Sequence, residues 1–215
     1  MAVRLIIFDL DGTLIDSVGD ICAAVNYALE PHGISPVTVE ETKASVGEGV
    51  SNLIEKVLTL KGAISLDREE LTKRVLEYYS AHLVAKTAPY PGVRETLEHL
   101  GACRKAVISN KLTNLAGKIL EALDLLKYFE VVAGSDSSPE RKPSPVPIRR
   151  VLSLLDVPPQ EAAIVGDSVY DMAAGRAAGV KTVAVTYGYG TPGFSDGSDF
   201  IIDRFSQLVD VVQHL

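Results

Sequence analysis

Asp9 and Asp11 stand two positions apart at the end of an apolar run, Leu5-Ile6-Ile7-Phe8-Asp9-Leu10-Asp11-Gly12-Thr13. Carboxylates are costly to bury unless a cation or hydrogen-bond donors meet them. Placing two at the end of the most hydrophobic stretch therefore suggests acid–base or nucleophilic chemistry. Other polar groups follow later apolar runs in the same way. Ser109-Asn110-Lys111 comes after Lys105–Ile108, and Arg141-Lys142-Pro143-Ser144-Pro145 lies beyond Val131–Ala133. Gly166-Asp167-Ser168, then Asp171, follows Ala162–Val165. If the runs are strands of one sheet, these groups share a rim. Two carboxylates about 4 Å apart repel by roughly 4 kcal/mol at an effective dielectric near 20, so either some are protonated or a cation sits among them. Mg²⁺ suits hard oxygen ligands and keeps waters that a phosphate can replace. The expected ligands are the Asp9 and Asp167 carboxylates and the Asp11 carbonyl. Lys142 is expected to neutralise the nucleophile and the phosphoryl oxygens, with the Ser109 hydroxyl and the Asn110 backbone N–H donating to the same oxygens. Gly12 removes side-chain bulk so that backbone can approach the phosphate.

The elements that must position these groups follow from periodicity. Leu5–Phe8, Lys105–Ile108, Val131–Ala133, Ala162–Val165 and Thr182–Val185 read as buried strands. Helical spacing lies between the later ones, as at Ile119/Leu120/Leu123 and Val151/Leu152/Leu155. Such alternation predicts an α/β fold, a doubly wound parallel sheet with helices on both faces. Residues 16–88 break the pattern. Ile21, Ala24, Val25, Ala28 and Leu29 make one apolar helical face, and Val50, Leu53, Ile54, Val57 and Leu58 another. Leu71, Val75, Tyr78, Tyr79 and Leu83 predict a third, longer helix. The expected organisation is an α/β core domain over 1–15 and 89–215, with an α-helical cap domain over 16–88 inserted after the first strand.

Bulk properties narrow the class. The 215 residues carry a net charge of −7 with 47% hydrophobic and 23% charged residues, which excludes disorder and leaves no basic stripe for nucleic acid. The N-terminus has one Arg and a four-residue apolar run, too short for a signal peptide or a membrane span. The two cysteines, Cys22 and Cys103, read as free thiols. The expectation is a cytoplasmic protein with a small phosphorylated substrate and no nucleic-acid or membrane partner, either a monomer or a homodimer.

"DLDGT", "SNK", "KPSPVP" and "GDSVYD", in this order from Asp9 to Asp171, resemble the four motifs of the haloacid dehalogenase superfamily. The inserted segment is similar to the helical cap of its phosphoglycolate phosphatase-like group, and Val46–Ile54, "VGEGVSNLI", to a cap stretch of that group. The resemblance implies a Mg²⁺-dependent phosphomonoester hydrolase with 2-phosphoglycolate as the best substrate guess. It implies Asp9 as the nucleophile that becomes an aspartyl-phosphate, and Asp11 as general acid and then base. Lys142 is the site lysine, Gly12 and Thr13 lie beside the phosphate, and Asp171 completes the metal group Asp9, Asp11 and Asp167 by holding a metal-bound water or orienting Lys142. Backbone N–H groups at Gly47 and Gly49, before the helix starting near Val50, are placed to receive an anionic substrate end, provided Glu48 faces away or pairs with Lys43 or Lys56.

Rival readings are a phosphosugar mutase, a pyrophosphatase or nucleotidase of the same superfamily, and a non-catalytic binding module. The lack of Arg in Val46–Ile54 weighs against a mutase, and the intact set Asp9, Asp11, Lys142 and Asp167 against a dead site. Lys111 reads as a surface charge, and Asp16 and Asp20 as helix-cap or hinge residues. Gly188-Tyr189-Gly190-Thr191-Pro192-Gly193 fits G-x-G-x-x-G, but Pro192 and the following small residues continue a loop where a dinucleotide fingerprint must open a helix. It is expected to be a rim loop. His32, His82, His99 and His214 lie outside every motif.

Overall fold

The apolar run Leu5–Phe8 forms β1, and all four of its residues are buried. A strand covered on both faces belongs in the middle of a parallel sheet, and that is its position in the computed structural model, which describes residues 3–214. In chain order the elements are β1 (Leu5–Phe8), β2 (Ile15–Asp16), α1 (Val18–Leu29), α2 (Val39–Lys43), α3 (Val50–Leu60), α4 (Arg68–Ala81), β3 (Ala88–Pro89) and α5 (Val93–His99). They continue with β4 (Arg104–Ile108), α6 (Thr113–Ala122), β5 (Val131–Ala133), α7 (Val146–Leu154), β6 (Ala162–Gly166), α8 (Val169–Ala178), β7 (Lys181–Val185), β8 (Phe200–Ile202) and α9 (Leu208–Val212). The chain divides into two compact units, Met1–Asp16 with Pro89–Leu215, and Ser17–Ala88.

The first unit holds a six-stranded sheet in the order β5-β4-β1-β6-β7-β8, every pair parallel. The register decides where the site lies. Phe8 is level with Val107 on one side and Val165 on the other, so Asp9, Ser109 and Asp167 leave the sheet at the same rim. The chain builds β1, β4 and β5 outward, then returns to place β6 on the other flank of β1. This reversal is the topological switch point where open α/β sheets bind ligands. Alternation along β1 splits the core. Leu5 and Ile7 join Ile148, Val151 and Leu152 of α7 and Ala174 and Ala178 of α8 on one face. Phe8 points to the other face, 6.0 Å from the Phe129 ring centroid and 5.8 Å from that of Phe205.

The second unit is helical, with α1 and α3 each packed against α4. The predicted apolar face of α1 is wholly buried, and so is that of α3 except for Val50 at its first position, which is only partly buried. The helix expected to reach Leu83 ends at Ala81, so Leu83 lies beyond it. Sequence periodicity also passed over α2, which is too short to show a period. Its signal is instead the capping box Thr38-Val39-Glu40-Glu41: Glu41 N–H donates to Thr38 Oγ1 at 3.1 Å, and Thr38 N–H to Glu41 Oε2 at 2.8 Å.

Asp20, expected to be a cap or hinge residue, makes long-range bonds. It is buried in the first turn of α1 and ties together the two ends of the helical unit. Its Oδ2 accepts from Lys86 N–H at 2.9 Å, from Thr87 N–H at 2.9 Å and from the Thr87 hydroxyl at 2.7 Å. Asp20→Ala leaves these donors unmet, at a cost of about 2–3 kcal/mol. Thermal unfolding is expected to show this loss, with Asp20→Asn intermediate; equal midpoints for Ala and wild type would refute the tie.

Candidate active site

The site begins at the end of β1. Asp9 N–H donates to Val165 O at 2.9 Å, which extends the β1–β6 ladder by one residue and fixes the Asp9 backbone. Its carboxylate meets the Lys142 ammonium at 2.8 Å. Lys142 Nζ also donates to Asp171 Oδ1 at 2.6 Å and to Ile108 O at 2.7 Å, so three acceptors hold one buried ammonium. The segment carrying it is anchored from the turn after β4, where Asn110 Nδ2 donates to Lys142 O at 3.0 Å; the Lys142–Pro143 peptide is cis. Burial alone would lower the Lys142 ammonium, but Asp171 and Asp9 outweigh it and push it above its ordinary value. It stays charged.

Asp167, after β6, is set by donors on both oxygens. The Thr13 hydroxyl donates to Oδ1 at 3.0 Å and Tyr189 N–H to Oδ2 at 2.7 Å. Asp171 caps α8 together with Ser168: the Ser168 hydroxyl donates to Asp171 Oδ2 at 2.5 Å, while Oδ1 takes Lys142. Of its two expected roles, orienting Lys142 is the one seen in these bonds. Asp9, Asp167 and Asp171 each offer a carboxylate oxygen within 4.8 Å of one another. Burial, offset in part by Lys142, pushes Asp9 up to about 7. Burial and the neighbouring charges of Asp9 and Asp171 hold Asp167 well above the usual carboxylate range. A cluster of hard oxygen donors whose full ionisation is resisted from within fits a divalent cation.

Asp11 departs from that group. Its carboxylate pairs with Lys111 at 2.8 Å, and both side chains are about nine-tenths buried. Lys111 is therefore not a surface charge. The sequence reading missed it because a lone lysine after a strand looks solvated until the fold folds Asp11 back over it. Two residues of the first motif have partners within the protein. Thr13 has no exposed surface, and its hydroxyl serves Asp167. Gly12, with φ +85°, leaves room for the Asp167 carboxylate, with which a Cβ would collide. Ser109 Oγ accepts from Lys111 N–H at 3.2 Å.

The rejected G-x-G-x-x-G segment is a loop and contributes to the site. A Cβ on Gly188 would collide with Gly12 O and with Asp167, so glycine allows the loop to lie against both. Besides the Tyr189 N–H on Asp167, the Tyr187 hydroxyl donates to Thr13 O at 2.8 Å and the Tyr189 hydroxyl to Asp16 Oδ1 at 2.8 Å. The readable signal was the pair of glycines flanking Tyr189 just after a strand of this sheet. Gly47 and Gly49 lie in the helical unit, before α3, with φ +125° and +85°. Glu48 beside them pairs with Lys56 at 2.6 Å, one of the two cations expected for it.

A doubly wound sheet whose switch point gathers three carboxylates around a buried lysine defines an α/β enzyme built for phosphoryl chemistry. The family model for haloacid dehalogenase-like hydrolase matches residues 6–185, and the chain belongs to that family. It is 40% identical over 213 residues, covering 98% of this chain and 97% of the relative, to the phosphoglycolate phosphatase of Aquifex aeolicus. It is 36% identical over 217 residues, covering 99% and 97%, to that of Chromobacterium violaceum. The fold superposes with a TM-score of 0.93 on "a predicted phosphoglycolate phosphatase" from Haemophilus somnus, 30% identical, with 98% of each chain covered.

Proposed function

We propose that this chain is a metal-dependent phosphomonoester hydrolase acting on phosphoglycolate, with Asp9 as nucleophile. The observation that carries the reading is the meeting of Asp9, Lys142 and Asp167 at the switch point of the sheet. The near-full-length relatives that bear the phosphoglycolate phosphatase name support the substrate.

The Asp9 carboxylate attacks phosphorus, and the bond to the leaving oxygen breaks as the Asp9–phosphorus bond forms. Asp11 gives its proton to that oxygen, then takes one from the water that cleaves the aspartyl-phosphate. Lys142, held by Asp171 and Ile108 O, offsets charge on Asp9 and on the phosphoryl oxygens. Ser109 and the Asn110 backbone N–H donate to the same oxygens. Mg²⁺ held by Asp9, Asp167 and the Asp11 carbonyl would supply Lewis-acid stabilisation of the phosphoryl charge. Asp171 is assigned to orienting Lys142.

Purified protein incubated with Mg²⁺ and a panel of phosphoglycolate, hexose 1-phosphates, nucleoside monophosphates and pyrophosphate tests this. Phosphoglycolate is expected to lead in kcat/KM by about tenfold or more, a margin that one or two added polar contacts supply. Chelation is expected to abolish turnover, and re-addition of Mg²⁺ to restore it. Hexose 6-phosphate appearing in place of free phosphate would make the chain a mutase, and no phosphate from any monoester would remove the hydrolase reading.

A further inference from the structure

The mechanism above leaves a second, nearly buried lysine unused. Lys111 belongs to the segment after β4, and its backbone is held on both sides: its N–H donates to Ser109 Oγ at 3.2 Å and its carbonyl accepts from Ser135 N–H at 2.9 Å. From this fixed base the ammonium reaches Asp11 Oδ1 at 2.8 Å. The two partners come from strand ends on opposite sides of one parallel pair, β1 and β4. The contact therefore depends on the sheet register and not on local chain geometry. Asp11 follows Leu10, and the chain from Leu10 to Ile15 is a tight turn, with Leu14 N–H and Ile15 N–H both bonded to Leu10 O. That turn sets the Asp11 backbone but not the direction of its carboxylate. Lys142 is committed to Asp9, Asp171 and Ile108 O, and the 2.8 Å ion pair with Lys111 is a contact that can aim the Asp11 carboxylate.

We propose that Lys111 is a positioning residue that holds the Asp11 carboxyl group in line with the leaving-group oxygen. The proposal rests on the reading of Asp11 as the group that moves the proton. One Asp11 oxygen stays against the ammonium while the other gives its proton to the leaving oxygen as the oxygen–phosphorus bond breaks and the Asp9–phosphorus bond forms. Lys111 itself neither gains nor loses a proton. A proton donor matters for an alkoxide leaving group and hardly at all for a nitrophenolate, which departs unaided, so the two substrate classes separate aim from binding.

The experiment compares wild type, Lys111→Met, Lys111→Arg and Asp11→Asn on phosphoglycolate, ethyl phosphate and para-nitrophenyl phosphate, with Mg²⁺ present and with thermal midpoints recorded. General acid catalysis is worth roughly 10²–10⁴-fold as a whole, so loss of its aim in Lys111→Met is expected to lower kcat/KM about tenfold or more on both alkyl phosphates. On para-nitrophenyl phosphate the same variant should retain kcat/KM to within about threefold, since little proton transfer is needed there. Lys111→Arg, which keeps a cation in reach of Asp11, is expected to recover most of the loss. Equal losses on the alkyl and aryl substrates overturn the proposal, as does a wild-type Lys111→Met. A loss confined to phosphoglycolate and carried by KM also overturns it, and makes Lys111 a contact for the substrate carboxylate. Failure of the underlying reading looks different, because Asp11→Asn would then keep its kcat/KM on ethyl phosphate.

Discussion

Asp9→Asn is expected to lose turnover on phosphoglycolate by at least about 10³-fold, as removal of a covalent nucleophile does when the rest of a site stays intact. The amide has the size of the carboxylate and can still accept from Lys142 through its oxygen, so the geometry of β1 and its neighbours is preserved while nucleophilic capacity is removed. Rapid quenching of wild type with labelled substrate should leave label on the peptide carrying Asp9, released by hydroxylamine as an acyl phosphate; Asp9→Asn should carry none. The same substitution acts on stability in the opposite direction. Burial, opposed by Lys142, puts Asp9 at about 7 in the metal-free fold, so its folded value lies above the unfolded carboxylate value. The folded state then binds the proton more tightly than the unfolded chain. Whatever stability protonated Asp9 allows is intact below the unfolded value and is lost as pH rises through about 7. Asn carries no such titration, so in chelator at about pH 8 the variant is expected to melt no lower than wild type. A variant that retains more than a few per cent of wild-type turnover, or that still traps label, moves the nucleophile elsewhere.

Which parts of the molecule could be read from sequence follows from the range of the forces involved. The strands β1, β4, β6 and β7 were visible because burial on both faces demands continuous apolar runs, and β5 because its three residues, though at the sheet edge and partly exposed, are all apolar. β8, Phe200-Ile201-Ile202, is an equally apolar edge run of three residues and was passed over, because so short a run does not by itself separate a strand from a loop. The rule that ligands bind beyond the carboxyl ends of parallel strands sufficed to bring Asp9, Lys142, Asp167 and Asp171 into one group, while the order of the strands was not read. The contacts that tune that group were invisible because they are set by register and loop paths. Lys111 finds Asp11 across 100 positions of sequence, and Tyr189 finds Asp16 across 173. Asp20 and Thr87 close the helical unit across 67. No local pattern encodes such pairs. The loop carrying Tyr187 and Tyr189 could have been suspected only from its glycines, whose missing side chains mark backbone packed against another group.

Lys142→Met is expected to damage both stability and rate, and the pH dependence of the first effect identifies its cause. The ammonium is buried against Asp9, Asp171 and Ile108 O. A thioether of similar length fills the space but leaves two carboxylates and a carbonyl without their cation. Removing one partner of a buried pair costs about 3–5 kcal/mol, which in a chain of this size corresponds to a midpoint lower by about 10 °C. Lys142 is held above its ordinary value by Asp171 and Asp9 in spite of burial. Its own contribution is therefore fully present below the unfolded lysine value and constant between about pH 5 and 8, where the lysine stays charged in both states. Any slope across that window belongs to the carboxylates. Without the ammonium, Asp9 and Asp167 rise further above the unfolded carboxylate value, and the folded state holds their protons to higher pH. The gap between wild type and Lys142→Met should accordingly widen as pH increases from about 5 to about 8 in chelator, and Mg²⁺ should narrow it. Turnover should fall by roughly 10²–10³-fold even where the variant is fully folded, the range found when one preorganised donor is removed from a developing negative charge. A stability gap that stays flat over this pH range would mean that the lysine acts by packing alone. The account of a carboxylate cluster held ready by one buried cation would then be wrong.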